Sequence, residues 1–258
     1  MPMRFLLEAP KGQPHSQGSE LTLPAERAHY LLKVLRLKAG DRLEAFDGQG
    51  SILQAHVINA STRQASVYID EVSAPATQPR YAVHLGLAIL KGQAMDRALQ
   101  QATELGAREI TLLNTQRGNV HLAQERAGNK LEHWRKIISN ACEQCGQLFL
   151  PRLNPPTDLL DVLQSCAGNQ TQKTATDIAN EATEQIVVLD QHGERLPQTL
   201  SVRPRMALIG PEGGWDDNER DRFRALGFPS YSLGDTVLRA ETTPAVALAL
   251  LHHLQNSG

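Results

Sequence analysis

Alternating apolar and polar side chains fill much of the first 72 residues, and longer apolar runs separated by helical spacing fill the rest. Arg42-Leu43-Glu44-Ala45-Phe46 leads to a turn at Asp47-Gly48-Gln49-Gly50. Ser51 to Asn59 then alternates, and Ala65 to Val72 repeats the pattern, so the region predicts short strands with one buried face. One helix interrupts them, Ala25 to Leu37, with Pro24 near its start and Gly40 just beyond its end. Ser73 to Pro79 holds two prolines and little to bury, which predicts a linker. The division expected is therefore a small β-rich module over residues 1–73 and a second domain over 74–258.

From Ala82 the texture changes. Val83 to Leu90 reads as an apolar strand, followed by a helix through Asp96, Gln101 and Glu104 that ends at Gly106. Ile110 to Leu113 is the next strand, and helices follow over Ala123 to Cys145 and Thr157 to Cys166. Ile186 to Leu189, Met206 to Ile209 and Tyr231 to Leu233 are further short apolar strands. Strands alternating with helices predict an α/β domain with a mainly parallel sheet. Residues 168–184 are polar and weakly patterned, an exposed insertion without chemistry of its own.

Composition narrows the class. Of 258 residues, 41% are hydrophobic and 21% charged, ordinary for a water-soluble globular chain. No run approaches the roughly 18 apolar residues that cross a bilayer, and Met1 to Phe5 starts no signal peptide. A cytoplasmic protein with no membrane partner is expected. Three cysteines argue against a disulfide framework, and Cys142 and Cys145, late in a helical stretch, lack the second pair a zinc site would need. No metal is expected. The formal net charge is −2, which excludes a generally basic nucleic-acid coat protein. Locally, Arg27, Lys33, Arg36, Lys38 and Arg42 outnumber Glu26 and Asp41, a basic face able to hold phosphates.

Two segments near the C-terminus carry the chemistry. Ile209-Gly210-Pro211-Glu212-Gly213-Gly214-Trp215 follows the strand Met206 to Ile209, and Asp216 with Glu219 can form a capping box on the next helix. Leu233-Gly234-Asp235-Thr236-Val237-Leu238-Arg239-Ala240-Glu241 follows another strand and precedes an apolar helix starting near Thr243-Pro244. Glycine lets the backbone approach a ligand closely, and open α/β sheets bind ligands at the carboxyl ends of their strands. Neither segment matches a P-loop or G-x-G-x-x-G. His252 and His253, adjacent on the last helix, point different ways and read as structural or exposed.

These stretches resemble those of the ribosomal RNA small-subunit methyltransferase E family, among the knotted (SPOUT) RNA methyltransferases. The likeness spans most of the chain. His29 to Arg36 and Phe46-Asp47-Gly48 are similar to the family's N-terminal module. Gln101 to Gly106, Trp134 to Ile138 and Ala141-Cys142-Glu143-Gln144 resemble its middle segments. Two positions depart from it: Gly118 stands where serine usually follows the arginine, and Gln147 where an arginine is common.

The resemblance implies a PUA-like β-barrel for RNA, then an α/β SPOUT domain whose parallel sheet is threaded by a deep trefoil knot. It implies S-adenosylmethionine as cofactor, held near Leu189, by Ile209, Gly210, Gly213 and Gly214, and by Leu233, Gly234, Val237 and Leu238. The reaction implied is methylation at N3 of a decoding-region uridine of 16S ribosomal RNA, by a homodimer with its site at the subunit interface. Arg239 is the candidate cation against charge developing on the uracil oxygens. Glu212 and Glu241 are the candidate bases for the N3 proton, and either could instead orient Arg239 or hold the cofactor. Arg4, Lys33, Arg36 and Arg117 are the expected RNA contacts, to phosphate and shape rather than to stacked bases. The assembled small subunit is the expected partner. A non-enzymatic RNA-binding protein and a methyltransferase of transfer RNA remain open, with the intact loops favouring turnover.

Overall fold

The computed structural model describes residues 4–9, 13–61, 64–77, 83–123, 127–168, 184–200 and 203–256. Contacts divide the chain into two compact units, Met1–Pro79 with Cys142–Leu150, and Arg80–Ala141 with Pro151–Gly258.

The first unit is a five-stranded sheet. β1 (Phe5–Leu6), β2 (Glu20–Thr22), β3 (Arg42–Phe46), β4 (Ile52–Ala60) and β5 (Ala65–Val72) pair in the order β1-β3-β4-β5-β2. β1 runs parallel to β3 and the other pairs are antiparallel. The alternation read from sequence sends Leu53, Ala55, Val57, Ala65, Val67 and Ile69 inward. Register shifts along β4 at Gln54/Ala55 and Val57/Asn59 bend that strand and curl the sheet about this core.

The segment Cys142–Leu150 completes the unit. Leu150 donates its amide to Gly48 O at 2.9 Å, and Gly50 donates to Leu148 O at 3.1 Å. Glu143 is buried; its Oε1 accepts the Leu6 amide at 2.8 Å and also the Arg27 guanidinium. Arg27 in turn lies 3.9 Å over the Phe5 ring. A buried carboxylate demands such donors, because an unpaired one costs several kcal/mol. Burial, followed by the neighbouring Cys145 and Glu143, pushes the Cys142 thiol up to about 12, leaving it an inert packing residue.

The helix expected over Ala25 to Leu37 stops earlier. α1 (Ala25–His29) passes into a π-helical turn over Tyr30–Val34, and Arg36 takes a φ of 59°. Leu37 donates back to Leu31 O at 3.2 Å, so a left-handed residue closes the helix as glycine usually does.

The second unit holds a six-stranded parallel sheet. β6 (His84–Ala88), β7 (Glu109–Asn114), β8 (Arg152–Asp158), β9 (Glu184–Arg195), β10 (Arg203–Ile209) and β11 (Ser230–Ser232) pair in the order β11-β9-β10-β6-β7-β8. α2 (Gln93–Glu104), α3 (Gly128–Cys145), α4 (Leu159–Gly168), α5 (Asp217–Ala225) and α6 (Thr243–Asn256) are its helices. Such a sheet must be covered on both faces, and Leu113, Val188, Leu208, Trp215 and Phe223 are among the residues packed there. Among the described residues no helix is long and apolar enough to cross a membrane.

Two expectations need correction. The helix read from Thr157 begins at Leu159, and the residues before it form β8, whose Pro155-Pro156 hid it as a strand. β9 runs well past Leu189 to Arg195. The insertion read over 168–184 lies, from 169 to 183, outside the described residues.

The strained φ at Arg36 yields a stability prediction. Arg36→Gly removes the Cβ clash of the left-handed region and raises unfolding free energy by about 1 kcal/mol, seen as a higher denaturant midpoint. A lower midpoint refutes the strain.

Candidate functional site

A cleft opens at the carboxyl ends of β10 and β11 and midway along β9, and three stretches of chain wall it: Leu189–Gln191, Ile209–Trp215, and Tyr231–Thr243 with gaps at Asp235, Arg239, Glu241 and Thr242. Each wall has a local cause. On the β11 side, the register of β9 jumps from Val188 opposite Ser230 to Glu194 opposite Tyr231. Residues 189–193 therefore leave the β11 ladder, and Leu189, Asp190 and Gln191 turn to the cleft.

The second wall is the loop after β10. Trp215 is buried, its Nε1–H donates to Leu189 O at 2.9 Å, and its ring meets Phe223 edge-on with centroids 5.1 Å apart. A Cβ at Gly210 would sit 3.1 Å from the indole, so any other residue there would press the ring outward by a few tenths of an ångström. Gly214 has a φ of 67° and donates to Pro211 O at 2.9 Å, closing the loop into a turn. The capping box forms as expected: the Asp216 side chain accepts the Asn218 amide, and Glu219 Oε2 accepts the Asp216 amide at 2.7 Å. The third wall runs over Gly234 and an exposed Val237 to α6. Thr243 Oγ1 donates to Arg239 O at 3.1 Å, which anchors the loop to the helix it enters.

Leu189, Ile209, Gly210, Gly213, Gly214, Leu233, Gly234, Val237 and Leu238 all line this cleft, and so does Glu212. Glu212 is exposed, with Oε1 3.5 Å from the Lys91 amide. Arg239 and Glu241 do not line the cleft but alternate with Leu238 and Ala240, which do. The Arg239 side chain is 82% exposed and its Nη1 lies 4.0 Å from Glu241 Oε1, whose side chain is 16% exposed. Arg117 belongs to the same unit: its Cβ would lie 3.3 Å from a Cβ built on Gly213, and its Nε is 3.8 Å from Asp216 Oδ2. A Cβ at Gly118 would stand 2.9 Å from Thr115 Oγ1, so a side chain at the position where the resemblance implies serine requires the Thr115 hydroxyl to shift. In the other unit Lys33 and Arg36 are exposed. Arg4 is engaged there, its Nε on Glu44 Oε1 and its Nη1 3.3 Å from Gly146 O, so it is not a free cation.

Sequence reasoning passed over one ionic pair in the cleft wall. Buried Asp190 receives Arg220 Nε at 2.7 Å and Nη2 at 3.3 Å. Burial alone would raise its carboxyl pKa. The Arg220 hydrogen bond, then the His192 amide and the Arg220 charge, outweigh that and hold it below the ordinary value. Nothing in the spacing of these residues marks a pair thirty positions apart. Because the folded pKa is depressed, the pair's stabilisation is fully present above the ordinary aspartate value of about 4 and fades as pH falls through the lower folded value. The stability gap between Asp190→Asn and the unaltered chain should thus stay constant from roughly pH 8 to 5 and narrow below about pH 4. Urea titrations across that range measure it, and a gap that widens with acid refutes the assignment.

With the cleft so defined, its relatives can be placed. A family model for an RNA methyltransferase domain matches residues 77–252, and one for an RNA methyltransferase PUA domain matches residues 23–69. The ribosomal RNA small subunit methyltransferase E of Synechocystis is 33% identical over 237 residues, 92% of this chain and 74% of that protein. A putative methyltransferase from Legionella pneumophila, in complex with SAM, superposes with a TM-score of 0.81 at 29% identity, covering 98% of each chain. The Neisseria gonorrhoeae ribosomal RNA small subunit methyltransferase E, bound to S-adenosyl methionine, gives 0.80 at 25% identity, again over 98% of each. A family model spanning most of the chain and a relative at 33% identity over nearly all of it make this protein a member of the ribosomal RNA small subunit methyltransferase E family.

Proposed function

We propose that this chain transfers a methyl group from S-adenosylmethionine to N3 of a decoding-region uridine of 16S ribosomal RNA. It would act as a cytoplasmic homodimer on the assembled small subunit. The observation that carries the reading is the cleft at the strand ends, with Arg239 and Glu241 standing at its rim beside two of its lining residues. The trefoil crossing expected near the C-terminus belongs to the same proposal.

The donor set suits the cofactor. Leu189, Ile209 and Leu238 offer apolar faces for a purine, and the glycines at 210, 213, 214 and 234 leave main-chain groups open to its edge and ribose. Glu212 at the rim offers a carboxylate to a cationic group. When bound, the cofactor supplies an electrophilic methyl on a sulfonium. The chain's own residues must bring N3 in line with it and handle the N3 proton, because the protonated imide has no free lone pair. A carboxylate, Glu212 or Glu241, accepts that proton. The loosely held Arg239 guanidinium is free to turn to the uracil oxygens, where negative charge develops. Residues 1–73 serve as the RNA module in this scheme, with Lys33 and Arg36 on phosphates. The apolar face of α6 would meet the second copy.

Transfer of labelled methyl to small subunits lacking the modification tests the reading. Label should map to one decoding-region uridine, and Arg239→Ala should lower kcat by about 100-fold with cofactor affinity retained. Label on another RNA, or none despite cofactor binding, refutes the substrate. Replacing Lys33 and Arg36 together by alanine should weaken subunit binding and reduce its salt slope by about 2. An equal loss of cofactor affinity contradicts that division of labour.

A further inference from the structure

The turn after β7 is tied to the loop after β10 by a single buried carboxylate. Gly118 donates its amide to Thr115 O at 3.1 Å, which closes a turn and places Gln116 and Arg117 at its two central positions. Gln116 donates its amide to Glu219 Oε1 at 2.9 Å, while Glu219 Oε2 takes the Asp216 amide at 2.7 Å. Glu219 is only 3% exposed.

The capping box explains one of these bonds. A residue at the third helical position needs only to return one oxygen to the N-cap amide. The bond to Gln116, 103 residues away, lies outside that requirement. Its effect is to fix the Arg117 turn against the outer side of the loop whose inner side lines the cleft. Gly213 allows that close approach, since a Cβ there would stand only 3.3 and 3.4 Å from the Arg117 Cβ and carbonyl oxygen. Its guanidinium, with the side chain 42% exposed, remains available beside the cleft, 3.8 Å from Asp216.

We infer that Glu219 is a positioning residue for RNA: it registers the Thr115–Gly118 turn on the Gly213–Asp216 loop so that Arg117 meets a backbone phosphate next to the base being methylated. This rests on the RNA methyltransferase reading. An arginine suits that ligand because its planar fork can bind phosphate oxygens in pairs. Holding the turn by main-chain bonds keeps the guanidinium where the phosphate arrives, so less has to be ordered when the RNA binds.

A double-mutant cycle on unmethylated small subunits tests the role. Arg117→Ala and Glu219→Gln should each raise KM for the subunit about tenfold while kcat and cofactor Kd stay within about twofold. The double variant should be no worse than Arg117→Ala, because Glu219 acts through Arg117. Gln116→Pro removes the amide donor to Glu219 Oε1 while sparing the capping box, and Gln116→Ala controls for loss of the side chain, so the proline variant alone should reproduce the KM defect even where Glu219→Gln folds poorly. Additive effects in the double variant, or lost cofactor affinity with KM unchanged, overturn the inference. Failure of the unaltered chain to methylate subunits sinks the substrate reading instead. The cycle is then read by filter retention of small-subunit RNA, where additivity again overturns positioning.

Discussion

The bond from the Trp215 indole to the Leu189 carbonyl is where two walls of the cleft meet. A long parallel strand would ordinarily spend its terminal carbonyls on a neighbouring strand, but β9 has left the β11 ladder at Leu189, so that oxygen is free to accept the indole. Gly210 lets the strand end close to the ring, and Phe223 backs it. Losing the indole leaves a buried polar atom unpaired and losing Phe223 leaves a void beside a large ring, and both are expensive. The same anchor fixes where α5 starts. It therefore also fixes where Arg220 can reach Asp190 and where Glu219 can reach the Arg117 turn.

Three kinds of contact thus converge on one short helix. Asp216 and Glu219 cap it, Arg220 from its first turn neutralises a cleft-wall carboxylate, and Phe223 supports the indole. The helix is polar over most of its surface, so apolar burial alone would hold it weakly. Its order comes instead from directional bonds that point into the functional loops. That arrangement ties the rigidity of the cleft to groups whose geometry is specific rather than merely apolar.

Much of this was legible from residue order. β3, β4, β5, β7 and β10 announce themselves by alternation or by short β-branched and leucine runs, and the capping box by its spacing. Glycine at strand ends pointed to two of the cleft's walls, and the nine residues that the family resemblance named for the cofactor all line it. What stayed hidden was set by partners far along the chain. β8 reads as a loop because Pro155 and Pro156 lack amide donors, and only its place at the sheet edge makes them tolerable. The left-handed stop at Arg36, just past the π-helical turn that follows α1, carries no local signal, since arginine is not a usual left-handed terminator. Asp190 with Arg220, and Gln116 with Glu219, are pairs that only the folded chain brings together. Arg4 looked like a free cation and is consumed by Glu44.

Those prolines have a wider consequence. Among the described residues the sheet has two margins, β11 at one side and β8 at the other. β11 is only three residues long, and β8 carries two adjacent residues without an amide hydrogen. Both features blunt an edge against pairing with a strand from another molecule, so the margins offer little template for sheet growth between crowded copies.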